Sequence, residues 1–179
     1  MRPLRMLCWS LFLSMMLVSC AQFDPLPFEQ HAHGDEGKGG VHTTVSESKR
    51  LVMFHSPLCG CCLEWVSHAS MHGFQVKNVH SLNMSGIKTT FNVPSSARSC
   101  HTTVHQASDR EFVFEGHIPA YLIERFLASP PRNAVGLAVP GMPIGSPGME
   151  RGRQYEDYSV LLLLKDGSTQ VYERVHKPQ

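Results

Sequence analysis

Three thiols stand within four residues at Cys59-Gly60-Cys61-Cys62, a density suited to soft-metal or redox chemistry. The apolar run Leu51-Val52-Met53-Phe54 precedes them, and the spacing behind them predicts a helix over Cys61 to His72. A strand that turns straight into a helix presents the turn's side chains at the helix N-terminus. Free N–H groups and the helix dipole there favour anionic thiolates. Cys59 and Cys62, at C-x-x-C spacing, can pair, or the three sulfurs can share metal ions. A buried structural disulfide is the plainer alternative, and spacing alone does not decide between them.

The elements that must position these thiols are legible from patterning. Cys62, Trp65, Val66 and Ala69 recur at helical spacing, and Gly73 follows as a C-terminal stop. Phe74, Val76 and Val79 mark a second strand, which completes a βαβ unit within about 30 residues and makes its two strands parallel. A short helical segment near Gly86 to Phe91 ends before Pro94. Cys100 to Val104 and Glu111 to Glu115 read as a hairpin around His105-Gln106-Ala107-Ser108-Asp109. Pro119 opens a helix with an apolar stripe of Leu122, Ile123, Phe126 and Leu127, closed by Pro130 and Pro131. Val160 to Leu164 and Val171 to Val175 form a second hairpin through Asp166-Gly167. The continuous run Leu161 to Leu164 suggests a strand covered on both faces. The expected class is α/β with a mixed sheet: a thioredoxin-like βαβ unit, then antiparallel hairpins and a helix. Cys59 and Cys62 fall where thioredoxin-like proteins carry their redox pair, and Cys61 departs from that pattern.

Other residues could join the chemistry. In a thioredoxin-like layout the third strand begins beside the first helix, so Cys100, in Ser99-Cys100-His101-Thr102, could face the triad and bring four thiolates together. Strand alternation sends His101 to the opposite face, where it would serve as a hydrogen-bonding group, unless the backbone is irregular. His117, in Glu115-Gly116-His117-Ile118-Pro119, lies at a strand-to-helix junction as a supporting group or a helix-entry residue. Pro-Gly-Met occurs twice, at Pro140-Gly141-Met142 and Pro147-Gly148-Met149. Thioether sulfur suits Cu(I), so Met142 and Met149 read either as an auxiliary site or lid, or as plugs on the core surface.

The N-terminus bounds the compartment. Arg2 and Arg5 precede a largely apolar stretch from Met6 to Val18, and Leu17-Val18-Ser19-Cys20 resembles a bacterial lipobox. The stretch is shorter than the ~20 residues a spanning helix needs. The expected organisation is a signal peptide over residues 1–19, a lipidated Cys20, a flexible tether over 20–50 and a folded domain over 51–176. The tether is polar and carries His31, His33 and His42, which could take up metal loosely. This gives a periplasmic, lipid-anchored protein, and Ala21 after the anchor leans towards the outer membrane. Of six cysteines, Cys8 and Cys20 then belong to export, leaving Cys59, Cys61, Cys62 and Cys100 in the fold. Removing two arginines and no acids changes the balance from 16 against 15 to 14 against 15. The near-neutral mature chain, without a basic patch interleaved with aromatics, argues against nucleic-acid binding.

Taken together, Ser56-Pro57-Leu58-Cys59-Gly60-Cys61-Cys62 with Trp65, Ser99-Cys100-His101-Thr102, Glu115-Gly116-His117-Ile118-Pro119, Pro140-Gly141-Met142-Pro143 and Gly145-Ser146-Pro147-Gly148-Met149 resemble the CopG-type copper-resistance family over Leu51 to Val175. The resemblance implies a thioredoxin-like fold, export, and copper held in a cysteine-bridged cluster by Cys59, Cys61, Cys62 and Cys100. It also implies a role in copper tolerance and an activity in copper redox conversion. Nothing carries over to the His-bearing tether. Soft thiolates suit several Cu(I) ions. Zinc competes less well, because the second ligand knuckle offers only Cys100 and His101. A thiol–disulfide oxidoreductase using Cys59 and Cys62 is the alternative, with Cys61 and Cys100 as surplus sulfurs. A copper carrier serving an efflux protein is a third reading.

Overall fold

In the computed structural model residues 49–106 and 109–177 are described, within one compact unit, His42–Gln179. The expected signal peptide, Cys20 and the histidines of the tether lie outside the described residues.

The described chain forms one seven-stranded mixed sheet with three helices, an α/β architecture as expected. Strand β1 (Arg50–His55) turns its alternate residues Leu51, Met53 and His55 inward. Helix α1 (Gly60–Met71) starts one residue earlier than predicted and buries Cys62, Trp65 and Ala69, one stripe at three- and four-residue intervals. Strand β2 (Gln75–His80) returns parallel to β1, pairing Leu51 with Val76 and His55 with His80, so the βαβ unit is present. Helix α2 (Met84–Thr90) is capped by the Asn83 side chain, which accepts from Gly86 N–H at 2.9 Å.

Strands β3 (Thr102–Gln106) and β4 (Glu111–Glu115) form the predicted hairpin, and β3 also runs antiparallel to β1. Helix α3 (Ala120–Ala128) follows Pro119 and buries Ala120, Leu122, Ile123 and Phe126. The next strand, β5 (Ala134–Ala138), was not anticipated from the sequence, where Ala134-Val135-Gly136-Leu137-Ala138 shows no alternation of polar and apolar residues. It pairs parallel to β4 and antiparallel to β6 (Tyr158–Leu164), thereby joining the C-terminal hairpin of β6 and β7 (Thr169–Val175) to the rest. The sheet order is β2-β1-β3-β4-β5-β6-β7.

Phe112 and Phe114 join the core that includes Trp65 and Phe126, whereas Val113 between them joins Val93, Ala97, Ala138 and Leu163. Successive strand residues point to opposite faces, so the sheet is covered on both sides. Leu162 and Leu163 divide in the same way, as their unbroken apolar run implied. Full burial of Phe114 and Phe126 contributes about 1.5–3 kcal/mol each, fixing the sheet against α3.

Candidate metal centre

The thiol loop is held from both ends. After β1 ends at His55, Cys59 N–H donates to the Ser56 carbonyl at 3.0 Å, closing a turn that delivers Cys59 to the N-cap of α1. Trp65, one turn into the helix, is fully buried and its Nε1 donates to the Ile118 carbonyl at 2.9 Å, tying α1 to the segment before α3. Cys62 is fully buried, while Cys59 and Cys61 are partly exposed.

Strand β3 begins two residues later than predicted, so Cys100 and His101 precede it in irregular backbone. Strict alternation therefore does not apply to them. The far-face role expected for His101 is overturned: its Nδ1 lies 3.1 Å from the Cys100 sulfur, and its ring packs 4.8 Å from that of Trp65. The sulfurs of Cys59, Cys61, Cys62 and Cys100 all lie within 4.8 Å of one another. Cys59 and Cys62 are joined by a disulfide, and Cys61 and Cys100 are free. Cys61 Sγ stands 3.5 Å from Cys59 Sγ, and Cys62 Sγ 3.7 Å from Cys100 Sγ.

A second convergence shares Cys100 with His101 and His117. His117 Nε2 lies 2.8 Å from Cys100 Sγ, and its Nδ1 lies 2.7 Å from the Pro147 carbonyl oxygen. A carbonyl only accepts, so Nδ1 carries the hydrogen and Nε2 presents its lone pair to the thiol. Burial, then the nearby Cys61, pushes the Cys100 thiol up to about 12, so in the metal-free protein Cys100 is a thiol donating to His117. Burial likewise holds His101 well below its ordinary value, reinforced by His117, Lys88 and His55. His117 is also lowered by burial, with the Pro147 carbonyl opposing. Neutral imidazoles beside a sulfur are in the protonation state that metal ligation requires.

Gly116 lets His117 reach this position. Its φ is +77°, and a Cβ there would fall 2.3 Å from Ser99 Oγ and 2.7 Å from the Val139 carbonyl. The proline- and glycine-rich loop covers the same region. Gly141 N–H donates to the Arg98 carbonyl, Ser99 Oγ donates to the Gly141 carbonyl, and Pro147 anchors His117. At Gly148, φ +83°, a Cβ would fall 2.7 Å from the Cys61 carbonyl oxygen, so the loop rests directly on the first turn of α1. Met142 on this loop is 51 % exposed and Met149 is half-buried.

Sequence reasoning missed the polar support beneath Cys100. Glu115 is fully buried and accepts from Lys88 Nζ at 2.5 Å, Ser99 N–H at 2.6 Å and Thr102 Oγ1 at 2.7 Å. A buried charge needs such complete pairing, and here the pairing clamps the residues on either side of Cys100-His101. The one available signal was the acid ending Glu111-Phe-Val-Phe-Glu115, which a half-exposed strand would also carry.

A family model described as a protein of unknown function, DUF411, matches residues 97–149, a stretch that includes Cys100, His117 and Met149. A comparison with curated proteins finds no match. Among solved structures, the chain is similar to one titled "Copper resistance protein copG- Form 2", with 36% identity, TM-score 0.65, and coverage of 71% of this chain and 98% of the other. "Copper resistance protein copG- Form 1" matches with 36% identity, TM-score 0.64, and coverage of 70% and 96%.

Proposed function

Because this chain belongs to the CopG-type copper-resistance family, we propose that it is an exported, lipid-anchored copper-binding protein that holds several Cu(I) ions as cargo in a cysteine-bridged cluster. The observation that carries the reading is the convergence of four sulfurs within 4.8 Å, with two neutral imidazoles on Cys100. Copper(I) prefers thiolate, and imidazole also suits copper. Four sulfurs that crowd two short segments satisfy several ions through bridging more readily than one tetrahedral zinc. Cys59, Cys61, Cys62 and Cys100 are the thiolate ligands in this reading, and His101 and His117 stand beside Cys100 as auxiliary groups that support it. The cluster lowers free copper outside the cytoplasm and thereby supports copper tolerance.

Binding through all four thiolates requires the Cys59–Cys62 disulfide to open. Opening takes up two electrons, which a thiol reductant or redox partner must supply. In the closing direction the Cys59 and Cys62 thiolates release two electrons, the number that takes two Cu(II) ions to Cu(I), so the pair is an electron donor for copper reduction.

The test is the copper and zinc content of the reduced, anaerobically purified protein, with Cys100→Ser alongside. Several coppers per chain, fewer in the variant, are expected; less than one copper per chain sinks the cluster. The disulfide itself favours a second reading, a thiol–disulfide oxidoreductase with Cys59 as nucleophile and Cys62 as resolving thiol. Ready reduction of disulfide substrates that survives Cys61→Ser would establish that reading instead. A copper carrier for an efflux protein shares the same ligand set, and transfer of bound copper to an acceptor protein distinguishes it from a store.

A further inference from the structure

The last residues of β1 and β2, His55 and His80, are direct register partners in the parallel pair. Partners in a parallel ladder carry their side chains on the same face. The two imidazoles accordingly meet edge to face, with ring centroids 4.8 Å apart and an interplanar angle of 83°. His55 is 1 % exposed, whereas His80 is exposed. His55 Nδ1 lies 2.9 Å from the Ser56 carbonyl oxygen, which can only accept, so Nδ1 bears the hydrogen and Nε2 is left with a bare lone pair. That Nε2 atom is buried and has no hydrogen-bond partner. Leaving a buried polar atom without a partner is costly, so its retention beside a second imidazole calls for a ligand that takes lone pairs.

The geometry points to a two-imidazole copper site formed by His55 Nε2 and His80, separate from the thiol centre. Metal–imidazole bonds are about 2 Å long, and imidazole suits copper. The His55 imidazole is locked in orientation by its Ser56 contact and by burial. His80, exposed at the sheet edge, has the rotational freedom to close onto an ion already held by His55. Three residues separate His55 from Cys59, and Phe54, next to His55, pairs with Thr102, next to His101. The site therefore adjoins the segments that carry the thiol centre, and through His80 it is open to solvent. This inference rests on the copper reading of the thiol centre.

The experiment is an anaerobic Cu(I) titration of the reduced full chain against a chromogenic chelator, for the unchanged protein and for His80→Ala. His80 is exposed, so its removal leaves the core intact. Thiolate-to-copper absorption follows the cysteines, and imidazole nitrogen NMR follows His55 and His80. The expected result is one copper fewer per chain in His80→Ala with thiolate absorption unchanged, and shifted His55 and His80 nitrogens in the unchanged protein. Equal copper counts in the two proteins together with unshifted His55 and His80 resonances would overturn the site. Absent thiolate absorption instead reports failure of the cysteine cluster, independently of the imidazole signals.

Discussion

His117 Nε2 stands 2.8 Å from the sulfur of Cys100 while the other ring nitrogen is held by Pro147 at 2.7 Å. One imidazole thus joins the cysteine to the loop that covers it. In His117→Asn the side-chain amide nitrogen replaces Nδ1 at Pro147, but nothing replaces Nε2 at Cys100. The variant is expected to fold with copper affinity lowered about 10–100-fold, the usual effect of losing a group that supports a ligand. Chelator competition checks it, and an unchanged affinity would remove His117 from the centre.

The loop's own seat is tested at Gly148. Its left-handed backbone costs an L-residue about 1–2 kcal/mol, and an added Cβ would also press within 2.7 Å of the Cys61 carbonyl and 2.8 Å of the Trp65 nitrogen. Gly148→Ala should therefore lose more stability than the backbone term and weaken copper binding, because Pro147 and its hold on His117 shift with it. Gly141, φ +67° with open space around its Cβ position, supplies the comparison. Gly141→Ala should lose only the backbone term. Urea unfolding of both variants, with copper affinity measured in parallel, separates the two.

Beneath Cys100, Glu115→Ala removes the acceptor shared by Lys88, Ser99 and Thr102. Lys88 is then a buried cation without its partner, a change that costs about 3–5 kcal/mol. Loss of the Ser99 contact also frees the backbone next to Cys100, so copper affinity should fall together with stability. Denaturant midpoints and the chelator assay check both.

Much of this fold was legible because its strands and helices carry clean periodicity. Trp65 and Ala69 declared the buried stripe of α1, and Leu161 to Leu164 declared a strand covered on both faces. β5 escaped because Ala134-Val135-Gly136-Leu137-Ala138 has neither polar alternation nor flanking contrast, and its pairing depends on strands far away in sequence. At the site, the thiol spacing marked Cys59, Cys61 and Cys62 without help from tertiary structure. His101 was assigned to the wrong face because a two-residue delay in the start of β3 left it outside regular strand geometry. Lys88 and Glu115 are 27 residues apart and look like ordinary surface charges until the helix and strand that carry them meet.

The buried imidazoles impose a pH dependence on the metal-free protein whose sign follows from the direction of their shifts. His101 and His117 are both held below the ordinary value of 6.5, chiefly by burial, and His68 on α1 is lowered by burial and by His72. Below pH 6.5 the unfolded chain takes up protons at these positions while the folded chain does not, so stability is full above that pH and declines as pH falls. Each histidine contributes up to about 1.4 kcal/mol per pH unit while only the unfolded state is protonated. The lowered carboxylates Glu124, Asp157, Asp166 and Glu173 act only nearer their own ordinary values of 3.8 to 4.5, which leaves the interval down to about pH 5 to the histidines. At the other end, the Cys100 thiol is raised from 9.0 to about 12, so the unfolded chain loses its proton first and stability falls as pH rises through that interval. Urea midpoints of the metal-free protein should therefore drop between pH 7 and pH 5 and again above pH 9. His117→Asn should flatten the acid limb, and Cys100→Ser should flatten the alkaline limb under reducing conditions up to about pH 10, where Tyr155 and Tyr158, also raised by burial, begin to contribute. Limbs that stay unchanged in these variants would place the titration elsewhere in the molecule.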